Sequence, residues 1–203
     1  MTIRRSEPWG ELVQSPDFVR VVPTDRAARE WVLALRESGR PMLPVALGGG
    51  DMARTLGGGA PGRFPGMVMT APIDLLRVVA DGRTTWAVAH VVARRSWRSG
   101  DVWLAMNAQF LGVHDVAPRS HPNDGKVDVV HVQPEMPLRA RLQARTRART
   151  GTHLPHPQLH ATQSAFATAA FRRPLVIWVD GVRWGTASDI TVTCEPDALT
   201  VYA

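Results

Sequence analysis

From about residue 66 onward the chain is written as short apolar segments separated by turn residues, a rhythm that leaves few folds open. Ile73 to Val79 and Thr84 to Val92 flank Ala80-Asp81-Gly82-Arg83, and Leu175 to Val179 and Val182 to Trp184 flank Asp180-Gly181. Asp-Gly suits a two-residue turn that needs positive φ at both central positions, so each pair predicts a β-hairpin. Val102 to Ala108 is a further apolar segment. In Val127 to Val132 and again in Ile190 to Glu195, alternate residues fall on opposite faces, the two-residue period of a strand. Pro134 and Pro137 end the first of these; Pro196-Asp197 is read as a turn after the second, with Leu199 and Val201 following it. Only Leu138 to Arg149 reads as helical in this half. Such a series predicts a β-sandwich or split barrel over residues 59–203.

The first 58 residues follow a different pattern. Phe18 to Val22 reads as a strand, Pro23-Thr24-Asp25 as a turn that caps a helix, and Ala28, Trp31, Val32 and Leu35 recur at helical spacing within Ala27 to Ser38. Gly39 and Pro41 stop that helix. Leu43 to Leu47 is a second strand, followed by Gly48-Gly49-Gly50-Asp51 and a helical turn at Met52 to Leu56. One such unit cannot bury both faces of a parallel strand pair, so it must pack on the rest of the chain or on a second copy. The Gly57 to Gly62 stretch marks the boundary. The predicted class is therefore α+β: a small α/β unit over 1–58, then a β-sandwich with one or two helices.

Composition narrows the setting. With 44% hydrophobic and 21% charged residues among 203, the chain can bury a real core. No stretch approaches the roughly 18 consecutive apolar residues of a spanning helix, and Arg4, Arg5, Glu7 and Glu11 leave no apolar block for a signal peptide, so a cytoplasmic protein is expected. The lone Cys194 excludes an internal disulfide and a Cys-rich zinc site. Lys and Arg number 24 against 18 Asp and Glu, a net charge of +6 that draws anionic partners. Nucleic acid is not expected, because stacking aromatics are not interleaved with the arginines. The Leu138 to Arg149 helix carries Arg139, Arg141 and Arg145, with Leu138 and Leu142 one turn apart. It could lie on an anionic membrane surface or dock its leucines on the sheet.

Three constellations could carry chemistry. Gly48, Gly49, Gly50 and Asp51, between a strand and a helix, could offer backbone N–H groups to a phosphate, although they match no full phosphate-loop pattern. Asp124, in the turn Asn123-Asp124-Gly125, could hold a hard cation such as Mg²⁺ or Ca²⁺. His153, His156 and His160 are close in sequence, but Pro155 and Pro157 forbid the helix that would align them for zinc.

In their order, these segments resemble the diacylglycerol kinase, sphingosine kinase and bacterial lipid kinase superfamily. Met106-Asn107-Ala108-Gln109-Phe110-Leu111-Gly112 is similar to the family's strand ending in Asn-Gly-x-x-x-Gly-Gly. Val116-Ala117-Pro118 with Asn123-Asp124-Gly125-Lys126-Val127-Asp128-Val129-Val130 is similar to its Ala-Pro and Asp-Asp-Gly-Leu-Leu-Asp-Val-Val signature. Gly151-Thr152-His153, Val179-Asp180-Gly181 and Glu195 to Val201 fall where the family has its Gly-x-His, its Asp-Gly-Glu and its final strand pair. The resemblance implies a β-sandwich C-terminal domain with a structural divalent metal at Asp124 and the carbonyls of His121 and Lys126.

The same resemblance implies a crippled catalytic apparatus. Val21-Val22-Pro23-Thr24-Asp25-Arg26-Ala27-Ala28-Arg29-Glu30 stands where members carry Val-Val-Gly-Gly-Asp-Gly-Thr-x-x-Glu. Pro23 has no N–H to offer, and Thr24 and Arg26 block the close approach that glycine permits. Gly48 to Arg54 is a shortened form of the family's Pro-x-Gly-Thr-Gly-Asn-Asp motif. Val182 replaces the carboxylate of Asp-Gly-Glu, and the segments expected before residue 15 are absent, so too little remains for the usual ATP cleft. The resemblance thus implies a catalytically degenerate member acting as a binding or scaffold protein, with an anionic lipid surface or a second copy as partner, cytoplasmic or peripheral at the membrane. The alternatives are an active kinase for a lipid hydroxyl such as diacylglycerol, using Asp25, Asp51 or Asp180, and a subunit completing a cleft with another chain.

Overall fold

The computed structural model describes residues 9–59 and 62–203. In chain order the elements are β1 (Glu11–Gln14), β2 (Arg20–Val22), α1 (Asp25–Glu37), β3 (Val45–Leu47) and α2 (Asp51–Thr55). There follow β4 (Met67–Ala80), β5 (Arg83–Ala87), β6 (His90–Arg94), β7 (Val102–Met106), β8 (Phe110–Leu111) and β9 (His114–Asp115). The last are β10 (Val127–Val132), α3 (Leu138–Arg147), β11 (Leu159–Ser164), β12 (Phe166–Val179) and β13 (Val182–Tyr202). The architecture is the expected β-sandwich with a small α/β part.

Both Asp-Gly turns form. Asp81 and Gly82 have φ of 45° and 76°, and Asp180 and Gly181 have 47° and 78°. These are the positive values a two-residue hairpin matching strand twist requires. Two expectations need correction. Thr84 to Val92 is not one strand but two, broken at Val88 and Ala89, so that β5 pairs with β4 while β6 pairs with β7 and β12. Pro196-Asp197 does not turn the chain; it forms a bulge inside β13, where the register with β4 jumps between Glu195 and Leu199 and Asp197 takes φ of 53°. The extra residues let one strand of 21 residues bend and continue.

Strand pairing crosses residue 58. β1 pairs with β4, and β3 runs parallel to the end of β13, with Val45 opposite Val201 and Ala46 opposite Tyr202. The small α/β unit thus meets its packing requirement on the rest of the chain, as part of one 11-stranded sheet. Ala28, Val32 and Leu35 of α1 are buried as their spacing predicts, and Val32 joins Val22, Leu47, Ile73, Leu199 and Val201 in the core that fuses the unit to the sheet. A separate core in the sandwich gathers Leu76, Val78, Trp103, Ile177, Ile190 and Val192. Each such side chain contributes about 1.5–3 kcal/mol by leaving water. No helix among the described residues is long and apolar enough to cross a membrane.

Candidate functional site

The Gly48 to Gly50 loop meets the start of α1. β2 ends at Val22, Pro23 and Thr24 turn the chain, and Thr24 caps α1 by accepting from the Ala27 N–H at 3.2 Å. The glycine loop packs directly on this turn. A Cβ on Gly49 would lie 2.7 Å from the Pro23 carbonyl oxygen, and one on Gly50, whose φ is +103°, would lie 2.5 Å from Asp25 Oδ1. Glycine is required here by the close approach of the chain's own backbone.

Asp25 and Asp51 are the hinge of this contact. Asp25 Oδ2 accepts from the Asp51 N–H at 2.6 Å and Oδ1 from the Met52 N–H at 3.1 Å. Asp51 in turn accepts from the Gly112 N–H at 2.8 Å and lies 3.0 Å from His90 Nε2. Beneath them, fully buried Asp180 accepts three backbone N–H bonds, from Val88, Ala89 and His90, at 2.8, 2.9 and 3.0 Å. This explains the break between β5 and β6: amides that leave the ladder there turn to the carboxylate instead.

Two buried acids, Asp25 and Asp180, and the half-buried Asp51 surround one imidazole. Burial, with the negative charge of Asp180 added, raises Asp25 to about 6. Burial also raises Asp180, against the pull of His90 and the three amides. Burial alone would lower His90, but its hydrogen bond to Asp51 and the charges of Asp180, Asp51 and Asp25 outweigh it and hold the imidazole above its ordinary value. Ligand atoms of Asp25, Asp51 and His90 lie within 4.8 Å of one another, a spacing that could hold a cation. His90 and its role were missed from the sequence, where a histidine preceding Val-Val carries no signal.

The Asp124 turn lies elsewhere on the sandwich. Asp124 Oδ1 accepts from the Lys126 N–H at 3.0 Å and Oδ2 from Gln163 Nε2 at 2.9 Å, with Lys126 Nζ at 3.8 Å. Behind it sits Asp74, fully buried and also missed from the sequence, accepting from the Gly125 N–H at 2.7 Å and the Asp197 N–H at 2.9 Å. Burial raises Asp74, and it raises Asp128 to about 6. The buried Asn123 Oδ1 has no hydrogen-bond partner among the described residues, and His121 is packed edge-on against Trp9. Asp124, Asp74 and Asp128 offer oxygen atoms of the kind that suits Mg²⁺ or Ca²⁺, but among the described residues the acidic group whose ligand atoms lie within 4.8 Å of one another is Asp25, Asp51 and His90, not this one.

The three clustered histidines go to separate partners: His153 to the Val116 carbonyl, His156 to the Gln158 N–H and His160 to Gln133. Arg141 departs from the lipid-facing role expected of it. It is buried at 6% exposure and donates to the carbonyls of Met136, Gly100 and Gln133, tying α3 to two loops. Arg139 and Arg145 are exposed, as are Leu138 and Leu142. Beneath α3 lies a cavity of about 780 Å³, floored by Val102, Leu104, Val130 and Val132.

Long bulged strands in a sandwich, with a short α/β unit packed on one end of it, place the chain among the β-sandwich domains of the lipid kinase superfamily. Residues 71–203 match the family model described as the YegS C-terminal NAD kinase beta sandwich-like domain, and the chain belongs to that family. Among solved structures it is similar to a Bacillus anthracis str. Sterne protein assigned as a diacylglycerol kinase, with 12% identity, a TM-score of 0.65, and coverage of 89% of this chain and 76% of that one. A structure titled as a diacylglycerol kinase from the same organism has 12% identity and a TM-score of 0.56, covering 80% of this chain and 66% of that one. No curated protein matches.

Proposed function

We propose that this chain is a diacylglycerol kinase-like protein that binds its ligand without transferring phosphate. The observation that carries this reading is the commitment of the three candidate bases: Asp180 to three backbone amides, Asp25 to two, and Asp51 to the Gly112 N–H and His90. A general base must reach the hydroxyl it deprotonates, and carboxylates held this way are posts in the fold. Pro23 and the packed Gly48 to Gly50 loop add to it, since phosphoryl transfer depends on a cradle that positions the nucleotide. The pKa of Asp25, near 6, is the observation that favours the active-kinase alternative, because a base poised near neutrality suits proton removal. Labelled-ATP assays with Mg²⁺ across diacylglycerol and related lipids separate the two. No turnover is expected from wild type or from Val182→Glu, which restores a carboxylate but no cradle; metal-dependent turnover that Asp25→Asn abolishes would overturn the reading.

A further inference from the structure

His160 has no zinc-binding partner among the histidines near it in sequence, but the strand register gives it one. β10 and β11 run antiparallel with His131 directly opposite His160. Residues opposed in this way leave the sheet on the same face, with Cβ atoms about 4.5–5.5 Å apart. Both imidazoles line one groove of about 500 Å³ at the margin of the sandwich core, with Asp101, Trp103 and Thr162 beside them. Each ring is held by one nitrogen. His131 Nε2 lies 3.1 Å from Asp101 Oδ1. An ionised carboxylate only accepts, so Nε2 carries the proton and the lone pair of the neutral ring sits on Nδ1. His160 Nε2 lies 2.7 Å from Gln133 Nε2. A side-chain amide presents either its nitrogen or its oxygen to such a ring, so His160 keeps this bond in the tautomer whose Nδ1 lone pair is open. No hydrogen bond engages either Nδ1 among the described residues. A carboxylate that orients an imidazole through one nitrogen and leaves the other bare is the outer support of metal-ligating histidines.

We infer that His131 and His160 chelate one divalent transition ion, Zn²⁺ or Cu²⁺, through their Nδ1 atoms, with water completing its coordination, and that the ion clamps β11 to the sheet. Imidazole nitrogens suit these ions, whereas Mg²⁺ and Ca²⁺ take oxygen ligands. Zinc–nitrogen bonds of about 2.0–2.1 Å put two nitrogens of a tetrahedral ion roughly 3.4 Å apart, within reach of rings hung from opposed Cβ atoms. Asp101 is a positioning residue, holding the His131 ring in its ligating tautomer. The clamp has a strand to hold: β11 ends the sheet, pairs with β10 alone among the described residues, and exposes five of its six residues. This site stands apart from the junction acids and goes beyond the ligand-binding reading above.

Calorimetric titration of Zn²⁺ into the whole chain, prepared without a polyhistidine tag, tests this. One Zn²⁺ is expected to bind at this pair and to survive a large excess of Mg²⁺ or Ca²⁺. His131→Asn and His160→Asn should each weaken that event about tenfold or more. Asp101→Asn should weaken it about tenfold and Asp101→Glu should restore it. His156→Asn, beside His160 only in sequence, should change nothing. The clamp is read on wild type alone by hydrogen exchange, which decides the matter even where a variant folds poorly: the β11 amides should exchange about tenfold more slowly in saturating Zn²⁺. Zinc uptake undiminished in both histidine variants, as for an ion seated on Asp25, Asp51 and His90, or β11 exchange indifferent to Zn²⁺, would overturn the inference.

Discussion

Replacing Asp25 by Asn tests the electrostatics of the junction in a quantity that depends on pH. Asp25 is buried, accepts two amides, and is raised to about 6 by burial and by Asp180. A buried acid whose folded pKa lies above its unfolded value binds more protons when folded, so its contribution to stability grows as pH falls from 7 toward 4. With a folded value near 6 and an ordinary unfolded one, the linkage relation gives about 1 kcal/mol more stability at pH 5 than at pH 7 from this residue alone. Asn cannot titrate, and only its Oδ1 can accept, so one of the two amides at Asp51 and Met52 loses its acceptor at a cost of about 1–3 kcal/mol. At pH 7 that loss is offset by removal of the buried charge, whereas at pH 5 it stands alone. His114, His121 and His153 have lowered values chiefly through burial and weaken the fold in acid, but they do so in both proteins and cancel in the difference. Urea denaturation at the two pH values should therefore show wild type and Asp25→Asn nearly equal at pH 7, with wild type ahead by about 1 kcal/mol more at pH 5. The same gap should appear as a shift of roughly 2–4 °C in melting temperature. Parallel pH profiles for the two proteins would refute the reasoning.

Three other outcomes follow from the geometry. Asp180→Ala leaves the amides of Val88, Ala89 and His90 without an acceptor and puts alanine at φ of 47°, so it should cost at least roughly 4 kcal/mol, read as a collapse in soluble yield and urea midpoint. Added Mg²⁺ or Ca²⁺ should raise the melting temperature by several degrees, about 3 kcal/mol at a hundredfold excess over Kd, and Asp124→Ala should remove the rise; identical melting curves with and without metal would refute it. Reversing the exposed charges with Arg139→Glu and Arg145→Glu should lower pelleting with anionic vesicles at low salt, an effect lost at high salt because it acts only within a Debye length.

Much of the frame was legible because its causes are local. Asp81-Gly82 and Asp180-Gly181 announce hairpins through their tolerance of positive φ, and Ala28, Val32 and Leu35 announce the face that α1 buries. What the sequence hid depends on partners far along the chain. The bulge at Asp197 answers to Asp74, and the split at Val88 answers to Asp180; neither dependence leaves a local trace. Arg141 was misread for the same reason. Helical spacing put Arg141 on a basic face beside leucines that could meet a membrane or dock on the sheet, whereas the carbonyls of Gly100, Gln133 and Met136 needed a donor and took the arginine. At the candidate site, Asp51 was found in its glycine loop and Asp25 and Asp180 by resemblance, while His90 could be found only by its position in space.

The pairing of β3 with the end of β13 also orders events in time. Val45 finds its neighbour Val201, and Met69 exchanges both backbone hydrogen bonds with Ala203, only after synthesis has passed more than 150 further residues beyond β3. Loop-closure entropy is paid before such distant contacts return anything, which slows folding. During synthesis β2, α1 and β3 must therefore wait, with Val32 and Leu47 uncovered, until β13 arrives. A segment made early is in this sense one that folds late.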